Sequence, residues 1–359
     1  MMKSRNLSIT VMMALVALVV SAQSPVIVKG PGDRQLTKYT NRVNPDEKYV
    51  YLNKGYLIVG SGADQRGFEC YTGNATGKNY ADMVNAYKEA FGDSVNVYCM
   101  MIPTNGEFYS PDEAVEKGLI KSERPTIERL YSHLSRSVIA VDCYTPLSQH
   151  VTEAICSKTD HHWLPRGAYY AAQAFARAAQ VPFRDLNSYE RHVTHEFVGT
   201  MPRFSGYEKL REAAEDFVYY TPKNVQYKTS QVVYTLDKAR RNVVSQKEED
   251  SVKFFRHYKD GSGSAYLTFF GGDYNITHVT TSTLNGRRLM LVKDSFGNAI
   301  PGYLFYSFEE IFVVDARYFK PNMREFVTGN KITDILFCNN IVHACTPSIS
   351  KGLMKYLDQ

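Results

Sequence analysis

Beyond residue 22 the chain has no apolar run long enough to span a bilayer, so its body does not read as a helical membrane domain. It has no run of basic residues. The formal charge of +5 falls to about +3 once Lys3 and Arg5 are set aside, too weak an excess to draw nucleic acid or an anionic membrane. There is no internal repeat and no low-complexity segment. The six cysteines form neither a CxxC pair nor a small-domain framework. Cys99, Cys143 and Cys338 lie in or at the end of apolar runs, as buried thiols do, and a Cys143–Cys156 bridge is the weaker reading. Tryptophan occurs once, against 26 tyrosines and 19 phenylalanines. Those aromatics suit a sugar-binding groove, but ordinary core and surface is the plainer reading.

What is present begins with an export pattern. Lys3 and Arg5 precede the apolar stretch Ile9 to Val20, and Val20-Ser21-Ala22 offers small residues for cleavage. Residues 1–22 therefore read as a signal peptide, with an uncleaved anchor as the alternative. The expected product is exported to the periplasm or cell surface, with 337 residues (359 minus 22). Residues 23–47 are polar and irregular, an extended lead-in. The 337 residues suffice for one large domain or two ordinary ones, and residues 48–359 are expected to form one.

Tyr49–Leu52 and Tyr56–Val59, joined through Asn53-Lys54-Gly55, predict a β-hairpin. Strands and helices then alternate. Helical spacing runs over Tyr80–Phe91 and stops at Gly92. Val95–Ile102 and Val138–Val141 are continuous apolar runs, as strands covered on both faces require. Pro125–Leu134 and Pro165–Ala179 read as helices, the second with a proline suited to the first turn. Residues 181 to about 285 break the rhythm, with a charged stretch (Lys238–Lys253) and β-like runs at Gln231–Leu236 and Tyr266–Phe270. They read as a β-containing insertion. Regularity returns with strands at Arg288–Val292, Ile311–Val314 and Ile335–Phe337, and a helix at Ala299–Phe308. Such β–α repetition predicts a mostly parallel sheet sandwiched by helices, with function at the carboxyl ends of its strands.

Two segments carry chemistry. Lys293-Asp294-Ser295-Phe296-Gly297-Asn298 follows a strand directly. A serine there can face an oxyanion with the N–H groups of the next turn, although helix capping explains Asp-Ser alone. A serine hydroxyl also needs a base within reach. Thr159-Asp160-His161-His162-Trp163 offers one: His162 can move the proton and Asp160, two residues earlier, can orient the ring. His161 should point the other way along an extended loop. Asp and His are also metal ligands, but the nearby His192 and His195 lack the HExxH order of zinc proteases. Phe270-Gly271-Gly272-Asp273 lacks the P-loop lysine and reads as a turn, and Pro103-Thr104-Asn105 reads as loop geometry at the functional rim.

Thr-Asp-His-His-Trp followed by Pro165-Arg-Gly167-Ala-Tyr-Tyr170, with a distant Asp-Ser-Phe-Gly-Asn, resembles the DHHW protein family. That family is similar to the SGNH hydrolase-like domains of alginate O-acetylation proteins, and the resemblance spans residues 47 to 346. It implies a three-layer α/β/α sandwich, circularly permuted because the serine follows the Asp-x-His. It implies Ser295 as nucleophile, His162 as base and Asp160 as orienter. It places an oxyanion-hole asparagine at Asn339 in preference to Asn340. His161 and Arg317 are further oxyanion or substrate-binding candidates; Arg317 suits a carboxylate or phosphate but also a structural ion pair. Lys293 stands where the relatives carry glycine, which puts the close backbone approach there in question.

The implied activity is acyl transfer from an ester of a cell-surface or exopolysaccharide glycan, to water or to a sugar hydroxyl. Neither route needs a cofactor or metal. A membrane acyl-transfer partner is implied only by analogy with the alginate system. The rival reading is a non-catalytic surface protein that binds a glycan or partner, because fold alone does not prove activity. A Ser295–His162 separation above about 6 Å, outside hydrogen-bond reach, would favour that rival.

Overall fold

The computed structural model describes Gly32, Leu36, Thr37, Val43 and residues 46–73, 75–239, 243–273 and 276–359. The expected signal peptide and most of the lead-in lie outside the described residues. Strands β1 (Tyr49–Asn53), β2 (Tyr56–Val59) and β3 (Arg66–Glu69) form a small antiparallel sheet. Lys54 and Gly55 turn between the first two with φ of 51° and 81°. Two positive φ values in a two-residue loop match the twist of the flanking strands, so the expected hairpin forms.

The strands that follow are β4 (Asn96–Ile102), β5 (Ile139–Ala140), β6 (Tyr189–Phe197), β7 (Glu215–Pro222), β8 (Tyr227–Leu236), β9 (Val243–Glu249), β10 (Ile276–Thr281), β11 (Arg288–Lys293), β12 (Glu310–Asp315) and β13 (Asp334–Asn340). The main sheet has eight strands in the order β5-β4-β13-β11-β12-β10-β8-β9, while β6 and β7 make a separate ribbon. From β5 to β12 the pairing is parallel; β10, β8 and β9 extend that edge antiparallel. The latter part of the irregular stretch 181–285 is thus a continuation of the sheet.

Helices cover both faces of the parallel part. Tyr98 of β4 meets Phe175 of the helix Pro165–Ala179, while Phe337 of β13 meets Tyr80 and Tyr87 of the helix Lys78–Phe91. Phe337 lies opposite Cys99 in the ladder, so its side chain and that of Tyr98 leave the sheet on opposite faces. β4, β11 and β13 are buried almost throughout, which is why their sequences read as unbroken apolar runs. A buried Arg287 ties the layers together. It donates to Asp334 of β13 at 2.7 and 2.5 Å and to the last carbonyl of the Pro165–Ala179 helix, Ala179, at 3.3 Å.

Two expectations fail locally. Ala299–Phe308 is not an α-helix but part of two short 3-10 turns, Ser295–Ala299 and Pro301–Tyr303. Pro301 lacks the N–H that would continue a ladder from Ser295, and Gly302 follows it. The β-like run Tyr266–Phe270 instead contributes to a 3-10 turn, Ala265–Thr268. All six cysteines are free thiols. Among the described residues no helix is long and apolar enough to cross a membrane.

Candidate active site

The strand β11 ends at Lys293 and delivers Asp294-Ser295 to the carboxyl edge of the sheet. Asp294 caps the following turn, its Oδ1 accepting from Phe296 N at 2.9 Å. The other segment arrives from the far side of the sequence. After β5 and the helix Tyr144–Gln149, the loop Cys156–Trp163 pairs back on itself and leads into the Pro165 helix. Trp163 Nε1 donates to Phe296 O at 2.9 Å, pinning this loop to the serine turn.

The two segments meet. His162 Nε2 lies 2.7 Å from Ser295 Oγ, and His162 Nδ1 lies 2.5 Å from Asp160 Oδ1. Asp160 and His162 are buried and Ser295 is partly buried. Burial alone would raise the Asp160 pKa. The charge and hydrogen bond of His162, with His161 and the Thr200 N–H, outweigh it and hold the carboxyl well below the usual range. The remaining oxygen, Oδ2, accepts from Thr200 N at 2.8 Å and Thr200 Oγ1 at 2.9 Å.

The stretch 181–285 supplies much of this support, and little in the sequence announced it. A Cβ on Gly199 would sit 2.3 Å from Asp160 Cβ, so only glycine permits the approach that brings Thr200 to the carboxylate. Glu215 of β7 accepts from Ser157 Oγ at 2.5 Å and Lys158 N at 2.7 Å, fixing the loop that carries Asp160. Tyr266 stacks on the His162 ring with 3.9 Å between centroids and a 9° tilt. Its hydroxyl donates to Ser295 O at 3.0 Å and Phe296 O at 3.1 Å. Gly199-Thr200 gave no sequence signal, and Tyr266 sat inside a run that resembled a strand.

Ser295 opens onto a pocket of about 220 Å³ whose wall includes Glu69, His161, Arg317, Asn340 and His343. A larger cavity of about 790 Å³, beside Arg66 and Lys158, contains none of these residues. His161 does not point the other way as an extended loop would require: the loop bends, its ring lies 3.8 Å from that of His162 and lines the Ser295 pocket, and its Nδ1 lies 2.9 Å from Thr200 Oγ1. Burial and then the charge of His162 lower its pKa to about 4, so it is neutral at pH 7. Donor atoms of Asp160, His161 and His162 lie close enough to share a metal ion, but each is engaged in the hydrogen bonds above.

The preferred asparagine falls elsewhere. Asn339 has no exposed surface, and its Oδ1 accepts from the Tyr80 hydroxyl. Alternation along β13 turns it, like Phe337, toward the Lys78–Phe91 helix. Its Nδ2 is buried without a partner among the described residues. Asn340 does line the pocket, yet its Nδ2 donates to Asp294 Oδ2 at 2.9 Å and its Oδ1 caps the next helix. Asn339 is thus turned away from the pocket and the Asn340 amide is held by Asp294, so neither is placed for an oxyanion in this arrangement. Arg317 lines the pocket while bonding Asp315 through Nε at 2.8 Å and a terminal nitrogen at 2.6 Å, with Asp273 at 3.0 Å. Lys293 is buried between Asp273 and Asp315, at 3.0 and 3.1 Å. The close approach expected before Asp294 moves to Gly297, where a Cβ would meet Lys293 Cβ at 2.4 Å.

The family model described as DHHW protein matches residues 50–314. The structure is similar to a DHHW family protein from Eubacterium siraeum DSM 15702, with a TM-score of 0.75 and 37% identity over 85% of this chain and 96% of that one. Bacillus cereus PatB1 with a sulfonyl adduct gives a TM-score of 0.63 at 17% identity, over 82% and 96% of the two chains. A second PatB1 structure gives 0.59 at 16% identity, over 80% and 97%. No curated protein sequence matches significantly. With most of its described length under the family model and 37% identity to a solved member over 85% of its length, the chain belongs to the DHHW protein family.

Proposed function

We propose that this protein is an exported serine-dependent acyl-ester enzyme acting on glycans, as an O-acetylesterase or O-acetyltransferase. The observation that carries the reading is the unbroken relay from Asp160 through His162 to Ser295 Oγ at 2.5 and 2.7 Å. Ser295 Oγ attacks the ester carbonyl as His162 Nε2 takes its proton. The imidazolium so formed is stabilised by the ionised Asp160 and by the aromatic face of Tyr266 beneath it. The Ser295 N–H, at the head of the 3-10 turn, is the donor this reading assigns to the oxyanion that develops on the ester carbonyl oxygen. His162 then returns the proton to the leaving alcohol. Water or a sugar hydroxyl discharges the acyl group by the same steps in reverse.

The sheet order supports the SGNH-like, permuted frame. Counted from β11, the parallel strands run 2-1-3-4-5, a doubly wound order whose switch point lies between the first and third strands. Ser295 follows the first of those strands and Asn340 closes the third. Helices on opposite faces suit the three-layer sandwich. The acetyl group and the glycan are carried by the resemblance to alginate O-acetylation domains, and export by residues 1–22.

The 2.7 Å contact favours this reading over a binding protein with an idle triad. The test is turnover of p-nitrophenyl acetate. Ser295→Ala should lower kcat by a factor on the order of 10⁴–10⁶. Equal turnover by wild type and variant removes Ser295 from the chemistry.

A further inference from the structure

Ser295 is flanked by a second Asp–His pair, one that the relay above does not use. Asp294 Oδ2 accepts from Asn340 N at 2.8 Å and Asn340 Nδ2 at 2.9 Å, and meets His343 Nδ1 at 3.1 Å. Burial would raise the Asp294 pKa, but His343 and the backbone N–H groups outweigh it and keep the carboxylate ionised. An ionised acceptor fixes the tautomer of a neutral imidazole. In that form Nδ1 carries the proton and Nε2 keeps the lone pair. No described residue meets His343 Nε2, and the atom is not sealed from solvent. The ring is 18% exposed and the residue lines the same pocket as Ser295. Acylation of Ser295 already has its base in His162, so this imidazole is spare for that half of the reaction.

We propose that His343 binds the acyl acceptor, a polyol such as a sugar with vicinal hydroxyl groups, by accepting a hydrogen bond from one hydroxyl at Nε2. The proposal rests on the acyl-transfer reading of Ser295. The neighbouring hydroxyl is then held against the acyl group. Its proton passes to His162 Nε2 and its oxygen bonds to the acyl carbon. The bond from that carbon to Ser295 Oγ breaks, and His162 returns the proton to the serine. One ester bond forms and one breaks, with no further reactant. Water can follow the same course, but only a polyol reaches His343 and the reacting centre at once. The Glu69 carboxylate on the same rim, with no side-chain hydrogen bond among the described residues, offers a second acceptor for sugar hydroxyls.

The test uses the partition of one acyl-enzyme. The protein is acetylated with p-nitrophenyl acetate in the presence of methyl glucoside or ethanol, and acetyl glucoside, ethyl acetate and free acetate are measured. All products arise from the same intermediate, so their ratios do not depend on how fast it forms. His343→Asn retains a donor at the Nδ1 position for Asp294 and removes Nε2. It should lower the ratio of glucoside transfer to hydrolysis about tenfold, the effect of one hydrogen bond, and leave the ethanol ratio unchanged. His343→Gln, which places an amide oxygen near the former Nε2, should recover part of the loss. An unchanged glucoside ratio in His343→Asn, or no glucoside transfer by the wild type, overturns the proposal. Failure of Ser295 to acylate at all is seen separately, as absence of p-nitrophenol release, and overturns the reading beneath it as well.

Discussion

Asp160 divides its two oxygens between partners with different origins. Oδ1 holds the His162 ring, two residues along the chain, and Oδ2 holds Thr200, forty residues on. The first contact was legible because an Asp-x-His spacing is local and its chemistry specific. The second was not, since nothing in Gly199-Thr200 indicates which distant carboxylate it approaches. Asparagine at 160 would keep the volume but present an N–H where an acceptor is required, forcing the wrong tautomer on His162. Asp160→Asn should therefore lower kcat on a chromogenic acetyl ester by a factor on the order of 10⁴ while leaving the circular dichroism spectrum unchanged. A loss below tenfold would mean that this carboxylate does not set the ring. The same distinction explains Asn339 and Asn340. Position in a Cys-Asn-Asn string cannot say which amide faces the pocket; that depends on the pleat of β13 and on the Tyr80 hydroxyl waiting on one face.

At the level of elements, the strands were the readable part. A parallel strand buried on both faces has to be apolar throughout, and β4, β11 and β13 are. The helix expected over Ala299–Phe308 does not form, because Pro301 and Gly302 interrupt it. The chain there is equally buried but turns twice as 3-10. What holds these elements in register is polar and was invisible in sequence. Asp334 of β13 accepts from Arg287, Asn96 at 3.0 Å and Tyr98 at 3.1 Å, all buried. Removing its charge leaves the buried Arg287 guanidinium without its partner, a loss of about 3–5 kcal/mol. Asp334→Asn should lose that much in urea unfolding. A change under about 1 kcal/mol, the range of an exposed pair, would contradict a structural role for this ion pair.

The whole molecule joins segments that are far apart in sequence. The stretch 181–285, expected as an insertion, lengthens the main sheet through β8, β9 and β10 and also delivers Thr200, Glu215 and Tyr266 to the site. Its irregularity was legible, and so was the run Gln231–Leu236, which lies within β8. The parallel order and the meeting of the Asp-His-His-Trp loop with the serine turn followed from the alternation of elements and from the family resemblance. A second consequence belongs to the fold as a whole. Glu123 is fully buried and accepts from the N–H and hydroxyl of Thr104. Burial, and then the nearby Glu107 carboxylate, push its pKa up to about 8. In the unfolded chain it titrates near ~4.3. Between these values the folded state holds a proton that the unfolded state has lost, so this stabilisation is full at low pH and disappears as pH rises through about 8. The Tm of the wild type should fall between pH 6 and pH 9 more steeply than that of Glu123→Gln; parallel curves would contradict the assignment.

In the proposed mechanism the imidazole of His162 activates the hydroxyl of Ser295 across 133 residues of sequence. Reaction with an arylsulfonyl fluoride reads it directly, since an activated serine displaces fluoride and retains the sulfonyl group. Intact mass should show one adduct, peptide mapping should place it on Ser295, and His162→Ala should remain unlabelled. No adduct on the wild type, or equal labelling of Ser295 in His162→Ala, would contradict the account.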